Sequence, residues 1–301
     1  MMRTIDPKDV PTNKLHQILL GSVAPRPIAF ASTVDKDGVP NLSPFSFYNC
    51  FGSNPPVLVF SPSRRVRDNT VKHTLENIYD TREVVINAVS YAMVHQTSLS
   101  SVEFPKGTNE FTKAGFTEAP SSIVKPPRVA ESPVQMECVV KDIVETGRHG
   151  GAGNLVICHV VMIHVNENVL DEQGRIDPHK IDLVARMGND FYCRASGTAV
   201  FEVAKPNTTP AIGYDAIPES IRSSEVLTGN NLGQLGNVET LPDEAAVKET
   251  AGWETVKAIK EKYGNNPKAY RNALHRLAQE CLADHKPMDA WRILLQENRT
   301  S

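Results

Sequence analysis

The chain lacks a cysteine framework. Its five cysteines, Cys50, Cys138, Cys158, Cys193 and Cys281, are scattered, odd in number and without a Cys-x-x-Cys pair. This excludes a disulfide scaffold and points to reduced thiols and a cytoplasmic home. Long apolar runs are also missing. No segment approaches the roughly 20 residues of a membrane span, and the N-terminus Met1-Met2-Arg3-Thr4-Ile5-Asp6-Pro7 has no apolar signal core. No membrane partner is expected. The net charge of −3 offers no global attraction to nucleic acid. There is no internal repeat, no low-complexity tract and no Gly-x-Ser-x-Gly elbow.

Other motifs fail on chemistry. Arg148-His149-Gly150-Gly151-Ala152-Gly153 is glycine-rich, but it lacks the Lys-Ser/Thr of a phosphate loop and opens a strand; it reads as a hairpin turn. Cys158 and His159 point to opposite faces of a strand, which rules them out as a metal pair with His164. His275, Cys281 and His285 do not share one helical face. No metal site is expected.

What the chain does have is concentrated between Val23 and Tyr48. Val23 to Val34 is a short apolar run, Asp35-Lys36-Asp37-Gly38 is a turn signal, and Val39 to Tyr48 sets hydroxyls among aromatics. That is a β-hairpin whose return strand mixes flat rings with small hydrogen-bonding groups. A planar ligand with a polar edge needs both. Prolines at 25, 27, 40 and 44 limit sheet pairing and leave backbone groups free.

Along the rest of the chain, Thr12 caps a short helix with Leu15, Ile18 and Leu19 on one face. Strands are expected near 27–34, 40–48 and 57–61, then a helix from Asn69 or Thr70 to Tyr79. A strand at 83–89 and a short helix near 91–100 follow. Val134, Met136, Cys138 and Val140 alternate with Gln135, Glu137 and Lys141, a half-buried strand. It pairs through residues 147–153 with the apolar strand Leu155 to Val165. Gly174 and Pro178 mark turns, and Ala199 to Val203 reads as a last strand. Helices are too few for a βαβ series, so the fold class is mainly β with helices, an antiparallel barrel. The expected domains are a barrel over 1–206, an extended arm or linker over 207–242, and a helical appendage over 243–301. The appendage has helical composition from Glu244 to Lys262. A second helix starts at Asn266-Pro267 with Tyr270, Ala273, Leu274, Leu277 and Cys281 on one face, and a third spans Pro287 to Gln296. Its helices are too short to stand alone and should dock on the barrel or on a partner subunit.

Pro25-Arg26-Pro27-Ile28-Ala29 and Asn41-Leu42-Ser43-Pro44-Phe45-Ser46 resemble the opening signature of the flavin reductase-like, FMN-binding split-barrel family. Further similarities follow in order: Lys72-His73-Thr74, where many members have Lys-Asp-Thr; Glu83-Val84-Val85-Ile86-Asn87; Pro127 to Pro133 leading into Cys138; and Arg186-Met187-Gly188 with Tyr192. The resemblance covers about residues 12–206 and leaves the last third of the chain unmatched. It implies a Greek-key split barrel that dimerises, bound FMN, and hydride transfer from NADH or NADPH to the flavin.

It also implies phosphate contacts at Lys72 and Thr74. Composition and position add Ser61 and Arg64, since a barrel without a glycine-rich strand–helix turn must hold a phosphate with side chains and a helix N-terminus. On charge alone, the same basic cluster reads rather as a solvated helix start, or as a patch pairing with acidic residues; the ordered matches around it turn the reading to phosphate. Ser43, Ser46 and Phe47 are the candidates for the ring and ribityl side, against a role in strand packing. Arg26 either meets the phosphate or a partner subunit, or closes a structural salt bridge. Arg186 and Tyr192 bring a cation and a ring toward the site, or are a surface Arg and a half-buried Tyr. No catalytic acid or base stands out, because a flavin carries its own redox chemistry. The expectation is thus an NAD(P)H:flavin oxidoreductase acting on a small-molecule or flavin acceptor. The rival readings are a non-catalytic FMN electron carrier and an interaction barrel that has lost flavin.

Overall fold

The computed structural model describes residues 1–204 and 209–298. Two compact units divide at Phe201/Glu202. Among the described residues, no helix is long and apolar enough to cross a membrane.

The first unit opens with helix α1 (Thr12–Ser22) and strands β1 (Ala29–Val34), β2 (Pro40–Phe45), β3 (Tyr48–Ser53) and β4 (Pro56–Phe60). Helix α2 (His73–Thr81), β5 (Glu83–Asn87), α3 (Val94–Leu99) and α4 (Glu110–Ala114) follow. The short pair β6 (Glu118–Ala119) and β7 (Arg128–Val129) precedes the long strands β8 (Val134–Glu145) and β9 (Asn154–Val165). A hairpin of β10 (Val184–Arg186) and β11 (Tyr192–Arg194) closes the series. Seven strands form one sheet in the order β2-β1-β5-β8-β9-β4-β3, and every pairing is antiparallel.

All six residues of β1 are buried. Period-two alternation sends Ala29 and Ala31 into one core with Phe45, Phe60, Leu75, Val84 and Val156, and sends Phe30 into a second with Leu42, Val89 and Phe111. β1 is therefore covered on both faces, which explains its unbroken apolar sequence.

Several expectations shift. The strand expected at 40–48 breaks at Ser46–Phe47, and a separate strand, β3, continues to Ser53 before turning through Asn54-Pro55. The helix expected from Asn69 or Thr70 starts at His73. Asn69 adopts a left-handed φ of 58°, inside a tight turn in which Asn69 N–H donates to the Arg65 carbonyl and Arg65 N–H to that of Thr70. The last strand expected at 199–203 is absent; the closing strands are β10 and β11. Glu137, expected on the open face of β8, is fully buried. The segment before β7 covers that face, and the Glu137 carboxylate accepts N–H groups from Ser122, Ile123 and Val124 at 2.7–3.1 Å and meets His164 Nε2 at 2.6 Å.

The second unit is helical. Residues 207–242, expected as an extended arm, instead hold α5 (Glu219–Arg222) and α6 (Gly229–Gly236), apart from positions 207 and 208, which lie outside the described residues. Thr228 and Asn231 form a capping box at the start of α6. Then come α7 (Glu244–Thr250), α8 (Glu254–Tyr263), α9 (Pro267–Ala283) and α10 (Pro287–Leu294). Asn266 caps α9 through its side chain, with proline at the first position. Ile217, Ile221 and Leu235 share one core with Leu274, Leu282 and Trp291; Trp291 Nε1–H donates to the Leu235 carbonyl at 3.0 Å. These helices escape a reading by composition because the Asn, Thr and Gly residues here serve as caps and turns between apolar positions spaced for this core.

Candidate functional site

The segment from Ser61 to Lys72 leaves the end of β4 and is seated on the β8–β9 turn. Ser61 Oγ accepts the Asn154 N–H at 3.0 Å, Asn154 Nδ2 donates to the Pro62 carbonyl at 2.9 Å, and Arg64 N–H donates to the Ala152 carbonyl at 2.9 Å. The glycine-rich turn is the seat. A Cβ at Gly150 would lie 3.0 Å from the carbonyl oxygens of Arg65 and Val66, so a side chain there would push the two backbones apart by a few tenths of an ångström. Arg65 is clamped from the other side: its Nη1 donates to the Val71 carbonyl at 2.6 Å and to Thr70 Oγ1 at 2.8 Å.

This arrangement delivers Lys72 to the N-terminus of α2 in extended geometry. Helix geometry leaves the first N–H groups, those of His73 and Thr74, without intrahelical acceptors and aimed outward with the positive end of the dipole. Around them lies a cleft whose walls include Asn41, Ser43, Arg65, Lys72, Ser101 and Glu103. Burial first, and then the neighbouring Arg65, hold the Lys72 ammonium below its ordinary pKa; both causes favour an incoming anion. The Ser43 hydroxyl makes no hydrogen bond among the described residues.

Three expected residues, Ser43, Lys72 and Thr74, therefore share one cleft. Thr74 enters it differently from expectation. Its side chain is buried and donates to Asn41 Oδ1 at 2.9 Å, while Asn41 Nδ2 donates to Glu110 Oε2 at 2.9 Å. Its hydroxyl proton is engaged, so what it offers a phosphate is its backbone N–H. Glu110 also accepts the Leu42 N–H at 3.0 Å and so pins β2 to α4, while the Thr74–Asn41 bond joins β2 to α2. The donor set here, one guanidinium, one ammonium, helix N–H groups and a free hydroxyl, fits a phosphate monoester.

The other expected residues stand apart from this cleft. Ser61 is committed to the Asn154 N–H. Arg64 Nη1 donates to the Asn69 carbonyl at 3.0 Å, while its buried Nε has no hydrogen-bond partner among the described residues. Among the described residues Arg26 closes no salt bridge; its guanidinium donates to the carbonyls of Leu20, Val23 and Met187 and to Ser46 Oγ. Burial, and secondarily Arg186, lower its pKa. Phe47 is partly exposed and stands edge-on to His16, with ring centroids 6.1 Å apart. Arg186 stacks on Tyr192 at 4.6 Å. Tyr192 lines a second cleft of about 350 Å³ with Tyr91, His95, Ser98 and Arg194. Arg65, Asn41, Glu103 and Glu110 were not singled out from the sequence. Arg65 and Asn41 lay inside segments already marked as informative, whereas nothing local distinguishes Glu103 or Glu110 from surface acids.

Comparison with known proteins agrees with this geometry. Residues 20–181 match the family described as flavin reductase like domain. An uncharacterized protein of Aquifex aeolicus is 37% identical over 197 residues, which is 65% of this chain and 97% of that protein. Among solved structures, nitrilotriacetate monooxygenase component B from Bacillus cereus superposes with a TM-score of 0.63 at 28% identity, covering 67% of this chain and 99% of that one. The 2-nitrobenzoate 2-nitroreductase of Pseudomonas fluorescens gives 0.62 at 25% identity, covering 70% and 100%. The match spans the whole antiparallel sheet and the α2 cleft but not the helical unit, and on that basis the chain belongs to the flavin reductase-like family of split-barrel flavoproteins.

Proposed function

We propose that the chain binds FMN with its phosphate at the N-terminus of α2 and is an NAD(P)H-dependent flavin oxidoreductase. The observation that carries this reading is the cleft in which Lys72, Arg65, the first N–H groups of α2 and the Ser43 hydroxyl converge within the family's matched domain. When bound, the flavin supplies the capacity to accept a hydride from NADH or NADPH and to pass electrons onward. Lys72 and Arg65 neutralise the phosphate, and the α2 N–H groups orient it. Ser43 extends the polar wall along β2. Asn41 ties β2 to α2 through Thr74, and Glu110 ties β2 to α4. The names of the two solved relatives, a monooxygenase component and a nitroreductase, support a small-molecule or flavin acceptor.

Homodimerisation belongs to the same reading. Helix α1 and the neighbouring β2–β3 segment leave Ile18, Leu19, Phe47 and Phe51 exposed, and a second copy would cover them. A light-scattering mass of a monomer at micromolar concentration, with FMN bound, would contradict it.

The decisive test compares FMN with riboflavin. Charge-assisted hydrogen bonds are worth about 1.5–3 kcal/mol each, so Lys72→Ala should weaken FMN by roughly tenfold to a hundredfold and leave riboflavin unchanged. Equal losses for both ligands would make Lys72 structural. Anaerobic stopped-flow mixing with NADH or NADPH should bleach the bound flavin. Flavin that stays oxidised with both, yet is reduced by dithionite, would mark an electron carrier.

A further inference from the structure

The two cations of this phosphate cradle, Arg65 and Lys72, and the exposed Arg67 beside them already hold an anion. The Glu103 carboxylate, from the loop after α3, lies 2.6 Å from Arg65 Nε, 2.9 Å from Arg67 Nη2 and 3.9 Å from Lys72 Nζ. Asp68 takes the other side of Arg67 at 2.9 Å. With Glu110 also lining the cleft, three cations meet three carboxylates, so an added anion must compete for them. Arg65 is mostly buried and fixed by Thr70 and Val71, whereas the Glu103 side chain is 42% exposed. One partner of this ion pair is anchored from behind, and the other is held only by the cations it faces and is open to water. The loop is itself tethered at both ends. Ser100 Oγ donates to the Thr97 carbonyl at 2.8 Å, and Lys106 pairs with Glu76 at 2.6 Å. The stretch between those tethers carries Glu103.

We infer that Glu103 is the specificity-determining residue of the phosphate cradle, an internal competitor that only a doubly charged phosphate displaces. The inference rests on the proposed phosphate site. A phosphate monoester carries about −1.5 to −2 charge at neutral pH and so outbids one carboxylate for the same cations. Each phosphate of a diphosphate diester such as FAD carries one charge and gains nothing over Glu103. A ligand without phosphate leaves Glu103 in place. Displacement is affordable because a half-exposed carboxylate returns to water at little cost, exposed ion pairs being weak. Glu103 thereby selects FMN over FAD and couples ligand entry to movement of the loop that walls the cleft.

The test is flavin fluorescence titration of FMN, FAD and riboflavin at fixed low salt, using the full chain and its Glu103→Gln and Glu103→Ala variants. Removing the competing charge should tighten FMN by about threefold to tenfold. FAD should gain by a larger factor, so the preference for FMN narrows, and riboflavin should stay within about twofold. Glu103 is on an exposed loop, so the two variants check each other for any local packing effect. FMN binding that is unchanged or weaker in both variants overturns the inference; in that case Glu103 holds Arg65 and Lys72 in position. If that result comes with a Lys72-dependent preference for FMN over riboflavin, only the competition fails. If the wild-type chain binds no FMN, the phosphate site fails with it.

Discussion

Replacing Arg26 with alanine tests how α1 is held. No residue of α1 is buried, so apolar packing contributes little to its docking. Arg26 is 4% exposed and reaches three carbonyls at once. Leu20 and Val23, at the end of α1, offer two of the carbonyls that a helix C-terminus leaves unpaired; Met187, next to β10, offers the third. Backbone hydrogen bonds at 2.9 Å in both directions join Arg26 to Arg186. The side chain thus ties α1, the start of β1 and the β10–β11 hairpin together. Hydrogen bonds from a charged donor are worth about 1.5–3 kcal/mol each, and partial rehydration of the α1 end offsets some of this loss. The net cost of Arg26→Ala should be about 3–5 kcal/mol, in the range of a broken buried network. For a unit of this size that lowers Tm by roughly 6–20 °C. Arg26→Lys should not rescue it, because one ammonium cannot span carbonyls from two elements. Calorimetry and amide hydrogen exchange are the assays, with α1 amides losing protection first. The ratio of FMN to riboflavin affinity should stay unchanged, since Arg26 does not line the α2 cleft. A Tm within about 2 °C of wild type, with α1 still protected, would refute the reasoning.

Three further outcomes are expected. Burial pushes the Glu137 carboxyl up, but the N–H groups of Ser122, Ile123 and Val124 and the His164 ring outweigh it and bring the pKa down to about 2. This folded value lies below the unfolded one, so the stabilisation, about 3 kcal/mol, is complete above the unfolded carboxylate pKa and is lost as pH falls toward 2. The Tm difference between wild type and Glu137→Gln should therefore be large at pH 7 and shrink below pH 4; a pH-independent difference would contradict it. Thiol labelling should begin at exposed Cys50. Cys138, pushed up to about 12 by burial and by Glu137, and Cys158, also raised by burial, should react only after unfolding; mass mapping of the labelled peptides checks the order. A chain ending at Ala204 keeps the first compact unit whole and should fold and bind FMN. A folded product without flavin affinity would place part of the site in the helical unit.

The local signals were strong where structure is local. The Asp35 to Gly38 turn, the β8–β9 hairpin and the proline-started α9 were legible because turn chemistry, period-two alternation and capping act over a few residues. Lys72 and Ser43 were legible through an ordered set of motifs. The start of α2 was misplaced by three or four residues because the turn at Asn69 depends on hydrogen bonds to Arg65. That turn rests against Gly150, some eighty positions away in the chain.

The sequence by itself determined an antiparallel, barrel-type domain with a basic loop entering a helix, since hydrophobic periodicity and turn residues are properties of neighbours along the chain. It also showed that no disulfide framework holds the chain together. Tertiary structure alone decided which charges meet. It turned Arg26 inward onto carbonyls, drew Glu110 beneath Asn41 and Thr74, set Glu103 among the cradle cations and buried Glu137 against a loop. Nothing in the local pattern separates these residues from solvated surface groups, because the free energy of a buried or paired charge depends on partners brought to it by other strands and helices.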